Sequence, residues 1–497
     1  MKEKTIVIIG GGVAGLSAGI SAQKNGFRSI ILEKNNSAGG ECTGWDRKGY
    51  HIDGCIHWLV GTQEGTPINS LWKSVGALDG VEIFHPESFT VFEHEDGKVV
   101  FYRDVEKIRS SWKDLAPEDD CVIDEFCDTL ITLHNFEVPT EKPMDLMSLP
   151  EKIKLMLSMK DAGMVMKKYG KVPLEAFARR FSHPALREAF GSIMPDGYSV
   201  SALMFALATF TRGQASIPMG GSKAFSNRIL QRYIALGGKI ETSCEVVALD
   251  KKKKKVQQVV SKDGKTFTAD YVIAACDAKV LFDRLLEGAH PNPAFEKRYA
   301  NPEDYPLASE ILIAIGYEGS MEEKPRSFNI PANGLVINGT PIKRLPMTQH
   351  SHEPSWAPKG HTLITCDINQ FYNDYEGWNS LYKDRSAYRK EKERIGNKVI
   401  ETLEKQYPEM KGRLSLLDVA TPKTYERYCN AYRGAFMAFM MTVRGKMFEH
   451  SGRIRGINNL FLSGQWLQPP GGLPVALITG KDTVMRICKK EKRGFRI

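Results

Sequence analysis

Residues Thr5–Glu33 read TIVIIGGGVAGLSAGISAQKNGFRSIILE. Thr5–Ile9 is a short apolar run rich in β-branched residues, the pattern of a parallel strand buried on both faces. Gly10-x-Gly12-x-x-Gly15 follows it directly. Leu16–Asn25 then reads as a helix closed by Gly26, and Ser29–Leu32 as a second strand ending at Glu33. This order of strand, turn, helix and strand is a βαβ element. The first glycine permits the tight turn, the second lets the main chain approach a pyrophosphate, and the third lets helix and strand pack closely. The helix start at Val13 and Ala14 offers free N–H groups and a partial positive charge to phosphates. Glu33, with Lys34 beside it, can accept hydrogen bonds from a ribose diol. An acid there disfavours a 2′-phosphate, so FAD or NAD is expected rather than NADP.

The chain has 497 residues, enough for two or three domains with ample core. Its composition, 42% hydrophobic and 26% charged, excludes a disordered chain, collagen and a disulfide-rich scaffold. The net charge of +9 suits acidic ligands or an anionic membrane surface without specifying either. Nine scattered cysteines with no C-x-x-C signal neither a thioredoxin-type pair nor zinc, and no metal site is expected. They fit a reduced, cytoplasmic compartment. The uncharged run Thr5–Ala22 has the outward form of a signal peptide, but five glycines weigh against one continuous helix. The next longest uncharged stretch, Gly197–Thr211, is too short to span a bilayer.

Strand-like runs with polar turns are expected over 81–105, helices over 116–215, and strands at Glu245–Leu249, Val256–Val260 and Tyr271–Ala275. Residues 308–370 read as β-rich, Ser386–Gln406 as a charged helix, Leu460–Ser463 as a strand and Pro474–Lys489 as a closing helix. Nucleotide-like signals therefore stand at both ends and in the middle. The fold class expected is α/β, with a discontinuous Rossmann-like cofactor domain (1–75, 214–285 and 451–497), a β-rich substrate domain (76–115 and 286–450) and a helical portion (116–213).

The choice between FAD and NAD turns on further motifs. Gly39-Gly40 follows Glu33, then Gly49-Tyr50-His51-Ile52-Asp53-Gly54 and His57. Near the end stand Ser463-Gly464-Gln465-Trp466 and Pro469-Pro470-Gly471-Gly472-Leu473-Pro474. Between them lie Ile217-Pro218-x-Gly220-Gly221, Gly237-Gly238, Glu245-Val246-Val247 and Ala269–Ala275. In this order the chain resembles the FAD-binding fold of the amine oxidase superfamily, and within it the phytoene desaturase-like and carotenoid isomerase-like flavoproteins. The resemblance covers roughly a third of the chain by motif. It implies FAD, with the double glycine along the cofactor, the backbone of Val246 at adenine, Gly464 at the ribityl chain, and Gly472-Leu473 facing the flavin ring. It also implies an oxidoreductase or redox-neutral isomerase that desaturates, saturates or isomerises a hydrophobic unsaturated molecule (polyprenoid, carotenoid or lipid) through hydride exchange at flavin N5. Amine oxidation, or FAD without a catalytic role, are the alternatives. The chain departs from the family pattern twice: Glu41 stands where many relatives carry Arg, and Gln465 where many flavoproteins carry Asp.

His57 is a candidate to bind FAD or move a proton. In Thr421-Pro422-x-Thr424-Tyr425-Glu426-Arg427-Tyr428, Tyr425 and Arg427 are catalytic candidates by the same resemblance, whereas Thr421 and Pro422 alone suffice for a structural helix start. No second G-x-G-x-x-G with its acid signals a dedicated NAD(P)H domain. Pro150–Lys171 (PEKIKLMLSMKDAGMVMKKYGK) mixes Leu and Met with six lysines. It reads either as an ordinary domain helix or as an amphipathic helix on the inner face of a membrane, its methionines able to wall a greasy substrate site. Ala202–Phe210 suits a core helix or a cavity wall. Lys251–Lys255 reads as a solvated hairpin tip, and nucleic-acid binding is not expected. Oligomeric state is not legible.

Overall fold

The computed structural model describes residues 3–497. Thr5–Ile9, the helix Val13–Lys24 and Arg28–Leu32 form the expected βαβ unit. The two strands sit at the middle of a five-stranded parallel sheet, in the order Lys239–Glu241, Arg28–Leu32, Thr5–Ile9, Tyr271–Ala274, Leu460–Leu462. Ile8 pairs with Ile31 on one side and Ile273 on the other. All three are buried, as a sheet covered on both faces requires. Segments hundreds of residues apart thus share one sheet.

A seven-stranded sheet forms the second layer: Leu414–Ala420, Ser309–Tyr317, Thr362–Gln370, Arg344–Gln349, Ser327–Pro331, Ser88–His94, Gly97–Tyr102. Ser327–Pro331 and Ser88–His94 pair parallel, the other neighbours antiparallel. Between Val105 and Thr211 the chain is helical. Trp112, Phe126, Phe177, Phe181 and Phe190 stack edge and face in its core.

Pro150–Lys171 differs from the expected single helix. Leu149–Ser158 and Lys160–Tyr169 are separate helices that meet at Met159. The break has a packing consequence. The second helix buries Ala162, Val165 and Tyr169 in the helical core, and the first buries nothing. Lys251–Lys255 is an exposed hairpin tip, its turn made by Lys253 in the left-handed region.

The last helix, Leu473–Lys490, lies against Val13–Lys24. Gly480 sets this contact: a Cβ there would lie 2.4 Å from the Ala14 carbonyl oxygen. Gly15 sets the turn before the first helix, since a Cβ there would lie 2.0 Å from the Gly10 carbonyl oxygen. Gly15→Val is therefore expected to lower stability by about 3 kcal/mol through overpacking. Denaturant unfolding checks this; an unchanged midpoint would show that the turn can open at little cost.

Candidate active site

Both of these helices begin without a capping side chain and without an acid in their first turn. Their N-termini face one cavity of about 1980 Å³, lined by Gly10, Gly12, Val13 and Ala14 from the first and by Gly472 and Leu473 from the last. Ordinary ligand pockets are about 300–1,000 Å³, so there is room here for a dinucleotide together with a long second molecule.

Gly12 leaves open space. A Cβ there would meet only Gly40 Cα at 3.8 Å and the Gly39 carbonyl oxygen at 3.9 Å. Gly39 donates its N–H to the Gly11 carbonyl at 2.9 Å, which sets the double glycine alongside the first turn. Main-chain amides at a helix start beside a side-chain-free wall fit a pyrophosphate. Glu33, at the end of its strand, accepts from Gly11 N at 2.7 Å and from Asn35 N at 2.8 Å. Lys34 reaches the cavity wall, but its ammonium donates to the Arg427 carbonyl at 2.7 Å and to Asn430 Oδ1 at 2.8 Å. Val246 lines the same end.

The two departures from the family pattern meet in space. Gln465 Oε1 accepts from Gly472 N at 3.2 Å, and its Nε2 donates to the Phe436 carbonyl at 3.2 Å and, in a longer contact of 3.5 Å, to Glu41. Burial, with Asp277 and Glu310 nearby, drives the Glu41 carboxyl well above its usual range, toward its protonated form. An acid pushed that way, in contact with an amide, stands where the family pattern has two charged groups.

Of the three catalytic candidates, two face the cavity. His57 lines it, and burial lowers its pKa, so the imidazole is neutral. Tyr425 lines it and donates to Glu310 Oε1 at 2.5 Å. Arg427 does not: it is exposed, stacks over Tyr428, and offers only its carbonyl, to Lys34. The reason is helical phase. Tyr425 and Arg427 stand two residues apart on the helix Pro422–Cys429 and so point to different sides. Thr421 and Pro422 do form the capped start of that helix. Trp58, read from the sequence as packing, is half-exposed on the cavity wall against Phe89.

Three cavity residues escaped the sequence reading: Glu310, Arg326 and Asp367. Glu310 and Asp367 lie in the strands Ser309–Tyr317 and Thr362–Gln370. Their signal was an acid interrupting an apolar strand. Burial pushes both carboxyls up to about 7, each also feeling other acids around it. The Ala202–Phe210 stretch serves both of its expected roles: Leu203, Met204 and Leu207 enter the helical core, while Ala202, Phe205 and Ala206 wall the cavity.

Comparison with known proteins agrees with this geometry. Residues 13–488 match the family described as flavin containing amine oxidoreductase, so the chain belongs to that family. It is similar to 4,4′-diaponeurosporene oxygenase of Staphylococcus haemolyticus, at 22% identity with 98% of this chain and 97% of that protein aligned. It is also similar to a lycopene-forming phytoene desaturase of Pseudescherichia vulneris, at 23% identity over 97% and 98% of the two chains. Among solved structures, an oxidoreductase from Methanosarcina mazei shares the fold, with a TM-score of 0.60, 18% identity, and 97% and 100% of the two chains covered. The protein is therefore an FAD-dependent enzyme of that family, and the relatives it resembles include carotenoid desaturases and isomerases. Among the described residues, no cluster of side chains suited to a metal ion is present, and no helix is long and apolar enough to cross a membrane.

The raised carboxyl of Glu310 makes a prediction about stability. The folded chain keeps a proton there that the unfolded chain releases from pH 4.5 upward, so this group's contribution falls as pH rises from 4.5 to about 7. The stability of wild type relative to Glu310→Gln should therefore decrease by on the order of 2 kcal/mol between about pH 5 and about pH 8. Urea unfolding of both proteins at the two pH values reads it; a difference independent of pH would contradict the assignment.

Proposed function

We propose that the protein exchanges hydride between FAD and a hydrophobic unsaturated chain, a polyprenoid, carotenoid or lipid, in a desaturation, saturation or isomerisation. The supporting observation is one large cavity that joins two unoccluded helix N-termini to a buried Glu310–Tyr425 pair and a wall of Met, Phe and Ala side chains. In this reading Glu33, Lys34 and Val246 take the adenosine end. Gly10, Gly12, Val13, Ala14 and Gly15 take the pyrophosphate. Gly39, Gly40, Glu41, His57, Gly464, Gln465, Gly472 and Leu473 surround the riboflavin half. The division into a discontinuous FAD domain, a β-rich substrate domain and a helical portion, with the boundaries given above, belongs to the same proposal.

FAD, when bound, supplies the hydride exchange itself. The chain's own groups have the remaining tasks. The apolar wall keeps water from the reacting carbons. Glu310, titrating near neutrality and fixed by the Tyr425 hydroxyl, can hold or accept the proton that balances hydride transfer at an adjacent carbon. His57, lowered by burial toward its neutral form, stands close enough to feel the Glu310 charge. Anaerobic mixing of the flavin-loaded protein with panels of polyenes, lipids and amines tests the reading. Polyene- or lipid-dependent bleaching of the yellow band is expected. Bleaching by amines alone, or by nothing in the panels, would contradict it.

Membrane contact belongs to the same reading. Leu149, Ile153, Met156, Leu157 and Met164 are exposed on the two helices of the 149–169 segment, and Lys152, Lys154, Lys160, Lys167 and Lys171 stand among them. Met159, Ala162, Gly163 and Met166 of the same segment line the cavity. A cationic surface with apolar side chains, set at the cavity wall, is what an enzyme drawing its substrate from an anionic bilayer surface requires. Co-sedimentation with vesicles containing phosphatidylglycerol should fall at least about tenfold on joint Met156→Glu and Leu157→Glu replacement. Equal sedimentation of the two proteins would remove this element from the proposal.

A further inference from the structure

Arg326 stands immediately before the strand Ser327–Pro331 and lines the cavity with Ser327, Asn329, Thr348 and Asp367. Its neighbours bond to one another: Ser327 Oγ and Asn329 Nδ2 both donate to Thr90 Oγ1, at 3.1 and 2.8 Å. Arg326 itself is left over. Its Nε is buried without a hydrogen-bond partner. Among the described residues, no carboxylate oxygen comes within the 4.0 Å of an ion pair with its guanidinium. By contrast Arg344, in the adjacent strand, is bonded to Glu188 at 2.6 Å and to the Asn329 carbonyl at 2.6 Å.

The acids that Arg326 feels make no direct ion pair with it. Asp53, the first of those it feels, has both carboxylate oxygens engaged by Ser222, at 2.8 and 2.9 Å. Asp367 accepts only a long bond of 3.4 Å from Thr365, and its other oxygen is buried without a partner. Burial holds Asp367 near about 7 and lowers His57 and His350 into their neutral forms. Burial also brings Arg326 down to about 10, still fully charged at neutral pH. Arg326 is only partly buried and lines the cavity, so a ligand that displaces cavity water from it without supplying an anion leaves a costly unpaired cation. A purely hydrocarbon ligand would leave that cost in place.

We propose that Arg326 anchors an anionic oxygen group, a carboxylate at one end of an otherwise apolar unsaturated substrate. The guanidinium fork matches the two carboxylate oxygens, which lysine or a neutral side chain does not. The Asn329, Thr348 and Ser327 side chains beside it give the cavity wall a polar pole, and the Met- and Phe-lined walls take the chain. This rests on the reading of the cavity as the site of a hydrophobic unsaturated substrate, and narrows that substrate to an amphipathic one.

The test is a titration of the FAD-loaded protein with a polyene carboxylic acid and, separately, with its methyl ester, followed by tryptophan fluorescence and by perturbation of the flavin spectrum. The acid should bind wild type about ten- to a hundredfold more tightly than the ester. Arg326→Met should erase that preference while retaining flavin content and ester affinity, and Arg326→Lys should restore part of it. Equal binding of acid and ester to wild type, or a preference that survives in Arg326→Met, would overturn the proposal. Loss of flavin from both variants would also overturn it, by assigning Arg326 to the cofactor. Failure of both acid and ester to bind wild type would instead overturn the hydrophobic-substrate reading itself, and the anchor with it.

Discussion

Everything in the site depends on how closely the first and last helices approach each other. Gly480 lies where any side chain would strike the Ala14 carbonyl. Ser17 Oγ donates to the Leu477 carbonyl at 2.7 Å across the same seam. This contact brings two helix starts, more than four hundred residues apart in sequence, to one cavity. Each contributes unpaired amides and a partial positive charge. The parallel sheet supports the arrangement, because its strands from residues 5–32, 239–274 and 460–462 point their carboxyl ends at the same opening.

Much of this was legible in the sequence because main-chain geometry dictated it. A turn that must admit phosphate, or a helix that must lie on its neighbour, demands glycine at fixed spacing. The Gly10–Gly15 turn, Gly39-Gly40 and Gly471-Gly472 therefore announced themselves. So did the strand Thr5–Ile9 and the closing helix, whose observed bounds, Leu473–Lys490, differ from the expectation by one residue at each end. The polar groups of the cavity were not legible in this way. Glu310 and Asp367 come from different strands of the second sheet and Arg326 from the residue before a third, and their proximity depends on strand order, which local pattern does not encode. Arg427 failed for a related reason: resemblance supplied the segment, but helical phase decided which of its side chains reached the cavity.

The cavity is electrostatically unusual for one so apolar. In its lining Glu41, Glu310 and Asp367 are raised by burial and His57 is lowered, and behind it Asp53 is raised and His350 lowered. Each of these groups is thus driven toward its neutral form, whereas Arg326 stays charged. Glu41 and Gln465, in place of an Arg–Asp pattern, follow the same direction, since burial pushes Glu41 toward its neutral form and Gln465 contacts it. Burial of this kind strengthens the interactions that remain polar.

The most direct measurement is flavin stoichiometry in wild type and in Gly12→Asp, by visible absorbance and mass spectrometry after reconstitution with excess FAD. Gly12 has room for a side chain, so the variant should fold with an unchanged apoprotein melting temperature and yet place a carboxylate at the proposed pyrophosphate site. Wild type is predicted to retain one FAD per chain and the variant almost none. Colourless wild-type protein, or equal flavin in both, would contradict the account.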